Sequence, residues 1–190
     1  GSLAGHIIEC GAQCTGGNFT DWKLIEGFDD MGFPIVEVFS NGDFIVSKPP
    51  NTGGLVSFGT VAEQFLYEIG NPNAYLLPDV VCDFTSVTID EIDKNKVLVS
   101  GAKGYPPTST YKVSATYMDG YRVAATLVIG GRFASEKTEV IANAILKKSR
   151  RILKENGFED FKESYLSKLG TDSIYGMKKD YTNSKEVVMR

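Results

Sequence analysis

The stretch PIVEVFSNGDFIVSKP, residues 34–49, constrains the fold of this chain more than any other. Strand-forming residues stand on both sides of Asn41-Gly42. That pair suits a two-residue type I′ turn, which needs φ > 0 at both positions. Residues 35–39 and 44–46 are therefore expected to pair as an antiparallel hairpin. A sheet face and a helix stripe must each find an apolar partner, and one packed layer of each is the simplest solution. The spacing predicts that second layer over residues 135–155, a long helix with Ser135 as N-cap and Glu136 and Glu139 in its first turns. Its expected buried stripe is Val140, Ile141, Ala144, Ile145, Ile152 and Leu153.

The remaining segments fit the same plan. Residues 5–9 read as a strand, and 19–32 as a loop with a short helical turn. Residues 60–69 have apolar residues at helical spacing, with Ser57 or Thr60 to cap the start and Gly70 to stop the end. Residues 75–101 read as strands with a turn at 93–96, and 101–110 as a loop. Residues 111–129 read as two strands joined around Asp119-Gly120. Residues 158–169 fit either a helix or a strand, and 181–190 end on an interrupted apolar run. The expected fold is mixed α/β: a mostly antiparallel sheet, with 35–46 and 111–129 in it, and a long amphipathic helix packed on one face. Residues 1–190 are expected to form a single domain.

Composition narrows the function classes. A net charge of −4 with mixed signs lacks the basic footprint of a nucleic-acid surface. No apolar run reaches the roughly 18 residues of a membrane span. No basic region followed by an apolar segment marks a secretory leader, and three cysteines, an odd number, suit reduced thiols. A cytoplasmic protein is expected.

The chemistry-bearing residues crowd into HIIECGAQCTGGNFTDW, residues 6–22, which holds the only histidine and two of the three cysteines. Glu9, His6, Cys10 and Asp21 are the catalytic candidates. Gln13, Thr15, Gly16, Gly17 and Asn18 are candidates for binding a substrate, since glycine permits close backbone approach. A second stretch, PPNTGG at 49–54, adds Asn51, Thr52, Gly53 and Gly54. Its backbone N–H groups can face an anion ahead of a helix, or form only a tight turn. Lys103, the basic residue of a Gly/Pro-rich loop, is either a phosphate contact or a solvated side chain. The two stretches are expected to touch and to line one cleft.

Each candidate has a plainer alternative. Cys10 as a nucleophile with His6 as base requires contact, yet on an extended segment they stand about 13 Å apart; a buried, inert thiol is the alternative. Glu9, on the face opposite His6, serves as a base or as a structural acceptor. At most three metal-ligating residues lie nearby where zinc needs four, so no metal is expected. Neither a dinucleotide nor a P-loop motif is present, and no cofactor is indicated.

The segments GSLAGHIIECGAQCTGGNFTDW, PPNTGGLVSFGTVAEQFLYEIGNPNAYLLPDVVCDF and VSGAKGYPPTSTYKVSATYMDGY resemble the acyclic terpene utilisation (AtuA-like) family. The resemblance implies citronellol and geraniol breakdown, beside acyl-CoA carboxylase and enoyl-CoA hydratase. It brings no catalytic residues. It also implies that the chain is the later part of a longer domain, whose remaining part can complete the site. Two functions follow. One is an enzyme acting on a branched or unsaturated acyl-CoA or terpenoid small molecule. The other is a non-catalytic subunit or scaffold, alone or as a homo-oligomer, that docks on the carboxylase or hydratase through the long helix and the hairpin edge.

Overall fold

The computed structural model describes residues 1–171, 173, 174, 176 and 184–190. The chain divides into two units, Gly1–Ala115 and Thr116–Arg190. Among the described residues no helix is long and apolar enough to cross a membrane.

In the first unit the hairpin forms. Ile35–Val38 (β1) runs antiparallel to Phe44–Ser47 (β2), with Ile35 opposite Ser47 and Val38 opposite Phe44. Its turn is not the expected type I′. Phe39 N–H donates to Asp43 C=O at 2.9 Å and Gly42 N–H to Phe39 C=O at 3.0 Å, closing a longer loop. Gly42 alone takes the left-handed conformation there, at φ 93°. Asn41 acts through its side chain instead, accepting the Asp43 N–H at 3.1 Å.

β2 then pairs with Lys96–Ser100 (β6), and β6 with Thr88–Asp93 (β5), giving the order β1-β2-β6-β5. Phe44 stands opposite Val99 and Val46 opposite Val97. All four are at most 2% exposed, so a one-residue slip would carry the whole set to solvent. A second antiparallel sheet joins Tyr75–Leu76 (β3), Val81–Asp83 (β4) and Lys103–Tyr105 (β7) in the order β3-β4-β7. Residues 103–105, expected in a loop, are thus a strand.

Residues 5–9 are not a strand. Ser2–Glu9 forms a helix (α1) because Leu3, Ala4 and Ile7 recur at helical spacing and all are buried. Eight residues are too few to hold a helix in water alone; packing of this face holds it. A second helix, Phe58–Leu66 (α2), starts at Ser57, whose side chain and that of Thr60 form a reciprocal capping box. It ends before the expected 69. Tyr67 is already extended and Glu68 is left-handed at φ 57°, so Gly70 plays no part in the stop. Removing the cap with Ser57→Ala is expected to cost about 1 kcal/mol in urea unfolding.

The second unit holds Leu127–Gly130 (β8), Ala134–Glu155 (α3), Lys168–Leu169 (β9) and Glu186–Met189 (β10), with sheet order β8-β10-β9. α3 packs on β8 and β10. Val187 and Met189 of the central strand are buried. The helix buries Ala134, Thr138 and Ala142 rather than the expected stripe; Val140, Ala144, Ile145 and Ile152 are exposed, Ile141 and Leu153 half-buried. Periodicity alone does not choose between a bulky and a small-residue face, and small side chains let sheet and helix approach. Phe133, left-handed at φ 61°, holds the N-cap position instead of Ser135.

Residues 111–126, expected as strands, belong to no element, and of 158–169 only Lys168–Leu169 forms a strand. Of the terminal run, residues 181–183 lie outside the described residues, while Glu186–Met189 is the sheet's central strand.

Candidate functional site

α2 divides the candidate residues into two groups. At its C-terminal end lies His6. The ring Nε2 is 3.0 Å from the Gln64 carbonyl, which only accepts, so Nε2 carries the hydrogen and Nδ1 holds the lone pair of the neutral ring. Gln64 donates back from Nε2 to the His6 carbonyl at 2.7 Å. Both residues are buried, so this reciprocal pair fixes the imidazole against rotation.

The helical course of α1 overturns two expectations. Glu9 does not point away from His6. At i,i+3 on a helix the two share a side, with Oε2 3.8 Å from Nδ1. Cys10 is half-buried rather than buried; the buried thiol is Cys14, whose Sγ donates to the Ile7 carbonyl. Burial pushes the Cys14 thiol up to about 12.

Thiol reactivity should separate the cysteines. At pH 8 a pKa of about 12 leaves Cys14 only about one part in ten thousand as thiolate, and Cys82 is buried as well. A chromogenic disulfide reagent is expected to titrate one thiol quickly, abolished by Cys10→Ser, and the other two only on unfolding.

Tyr67 belongs to this group, and sequence reasoning missed it. Its backbone N–H donates at 3.2 Å to the same Gln64 carbonyl that takes His6 Nε2. The Glu68 carboxylate, then Cys10, burial and Glu9 hold its phenol above the ordinary value. No spacing rule links positions 6–10 with 67; only the packing of α1 against α2 does.

The other group is a dense knot of backbone. Leu55 N–H donates to Thr15 C=O at 3.0 Å, Gly54 N–H to Glu26 C=O at 2.8 Å and Gly53 N–H to Asp30 C=O at 2.8 Å. The two glycine-rich stretches therefore touch. Their glycines make room for the chain itself. A Cβ on Gly53 would sit 1.9 Å from the Gly27 oxygen, one on Gly54 2.8 Å from the Thr15 oxygen and one on Gly17 2.7 Å from the Ala12 oxygen. On Gly16 it would strike Ile25.

Side chains here are tied to one another. Asn18 donates to Gln13 Oε1 at 2.9 Å, and Thr52 donates to the Pro49 carbonyl at 2.8 Å beside Asn51, left-handed at φ 62°. Asp21 lies against Gly59 in the first turn of α2, where Glu91 also accepts the Phe58 N–H. Nine residues of helix span about 13 Å. Asp21 and Glu9 thus stand at opposite ends of α2.

Lys103 is in neither group. It sits on β7 opposite Asp83, whose carboxyl is held low by hydrogen bonds from Thr85 and further by Lys103. Concavities are lined by Leu55–Ser57 with Glu91–Asn95, and by Phe133, Glu136, Lys137, Val140 and Ile141. Among the described residues no cluster of three His, Cys, Asp or Glu is arranged to hold a metal.

A family model described as the acyclic terpene utilisation family protein AtuA matches residues 1–190. No curated protein and no solved structure matches the chain.

Proposed function

Because the chain belongs to the acyclic terpene utilisation family, AtuA, we propose that it acts on a branched or unsaturated acyl-CoA by acid–base chemistry, in the cytoplasm. The observation that carries this reading is the His6–Glu9 pair. His6 Nδ1 and Glu9 Oε2 approach to 3.8 Å, and the other ring nitrogen is fixed on Gln64. A neutral imidazole and a carboxylate so placed are matched by a donor between them, such as a water molecule or a substrate hydroxyl.

The reaction that fits is water addition to an α,β-unsaturated thioester. Glu9, with His6 beside it, takes a proton from water as the oxygen bonds to the β-carbon. The C=C electron pair moves toward the thioester oxygen as an enolate, and protonation at the α-carbon completes the hydration. Cys10 borders the site. A screen of branched, unsaturated acyl-CoA thioesters by mass spectrometry is expected to find one that gains a water molecule. No conversion of any thioester would remove the enzyme reading.

A second reading makes the chain a docking subunit for the acyl-CoA carboxylase or enoyl-CoA hydratase of the same pathway. It is favoured by Tyr117, Tyr121 and Val123, each at least 82% exposed on the unpaired run 116–126 of the second unit. Val123→Lys should then abolish co-elution with that partner, while the chain by itself converts no thioester with or without the substitution.

A further inference from the structure

We infer that residues 19–28 form a docking surface for a basic, amphipathic segment of a partner protein, a role independent of the acyl-CoA reading above. Side chains close this loop at its ends: the Phe19 and Phe28 rings stand 5.7 Å apart at a tilt of 30°. Phe19 takes the left-handed conformation, φ 60°, which a bulky residue keeps only where its surroundings hold it there. Ile25 is the buried anchor, and a Cβ on Gly16 would fall 2.3 Å from its Cδ1. Hydrogen bonds from Leu24 N–H to Asp21 C=O and from Gly54 N–H to Glu26 C=O, both 2.8 Å, pin the backbone between the ends.

This fixed loop shows apolar surface to solvent. Phe19, Trp22, Leu24 and Phe28 are each at least 43% exposed. With the ends in contact, no backbone position between them stands more than about 17 Å from the ring pair, five residues at full stretch. The set therefore fits one side of a standard interface, about 800 Å² or roughly 30 Å across. Four large apolar side chains on one short loop are more than scattered surface hydrophobics, and such patches mark binding surfaces.

Charge identifies the occupant. On and beside the loop, Glu26, Asp29 and Asp30 are exposed and Asp21 is half-buried, against one lysine, Lys23. Among the described residues no ion pair reaches any of these four carboxylates. They would repel an anionic bilayer, and a purely apolar partner would bury them without compensation. Lysine or arginine side chains interleaved with apolar ones answer both the rings and the carboxylates. The Trp22 ring already accepts a cation, since Lys23 Nζ stands 5.5 Å from its centroid.

Trp22 is the only tryptophan of the chain, so its fluorescence reads occupancy of the loop directly. The probe is a synthetic amphipathic helix of leucine and lysine, added to the full chain; one control peptide carries glutamate for every lysine, another serine for every leucine. The leucine–lysine peptide is expected to shift Trp22 emission to the blue and to saturate, and neither control to do so. Leu24→Ser should weaken its binding about tenfold, and Asp29→Asn with Asp30→Asn about fivefold. Added salt should weaken it as well. The three substituted side chains are exposed, so thermal melting should stay unchanged. Binding that survives both substitutions, or an equal shift with the leucine–glutamate peptide, overturns the inference. A blue shift on concentrating the chain alone overturns it in favour of a second copy, and one on adding phosphatidylcholine vesicles in favour of a lipid surface.

Discussion

Glu9→Gln is expected to lower kcat/KM on an unsaturated acyl-CoA by about a hundredfold or more, the range for loss of a positioned general base. The substitution keeps size and removes only the capacity to take a proton. Stability should barely change, because the Glu9 side chain is 66% exposed and its contact is the 3.8 Å approach to His6. Surface substitutions of that kind stay within about 0.5 kcal/mol. The measurement is paired: turnover by mass spectrometry and the urea midpoint of the same preparation. A lowered midpoint with turnover intact would make Glu9 a structural acceptor at the end of α1.

Gly53→Ala is expected to be the most damaging small substitution in the first unit, costing about 3 kcal/mol in urea unfolding. The new methyl would lie 1.9 Å from the Gly27 oxygen and 2.6 Å from its carbonyl carbon, both backbone atoms that no rotamer change can clear. Separating the two segments would also strain Gly53 N–H to Asp30 C=O and Gly32 N–H to Gly53 C=O. Gly70→Ala is the control, since nothing lies within 4 Å of its added Cβ and its φ is ordinary. Equal midpoints for the two variants would refute this account of the glycine-rich stretches.

The hairpin was legible in the sequence because its information is local. Strand residues flank a turn pair, and the cross-strand valines and phenylalanine follow the period of two. Its turn was not: Asn41 answers a backbone N–H with its side chain as readily as it adopts φ > 0, and the sequence holds both options. α1 was misread because Ile7-Ile8 is too short a run to reveal a period; the deciding fact is tertiary, the burial of Leu3, Ala4 and Ile7 together. That one error displaced Glu9 to the wrong side of His6.

The long helix shows a different failure. Its length and position followed from the sequence, but its buried face did not, because Ala134, Thr138 and Ala142 are chosen by how closely β10 approaches. The candidate site was legible in part. The contact of Thr15 with residues 54 and 55 follows from glycine in two stretches that need close packing. The separation of Asp21 from Glu9 along α2, and the arrival of Tyr67, depend on helix packing that no local motif encodes.

The proposed chemistry turns on the state of one ring, and the chain has a single histidine, so its signal carries no assignment ambiguity. Nitrogen-15 NMR of the neutral imidazole should show a protonated Nε2, donated to Gln64, and an unprotonated Nδ1 facing Glu9. Gln64→Leu, which keeps the backbone carbonyl that accepts Nε2–H and removes only the amide returned to the His6 carbonyl, should leave the same tautomer. A neutral ring protonated at Nδ1 in the unsubstituted chain would contradict the account, because the nitrogen beside Glu9 would then have no lone pair with which to take a proton.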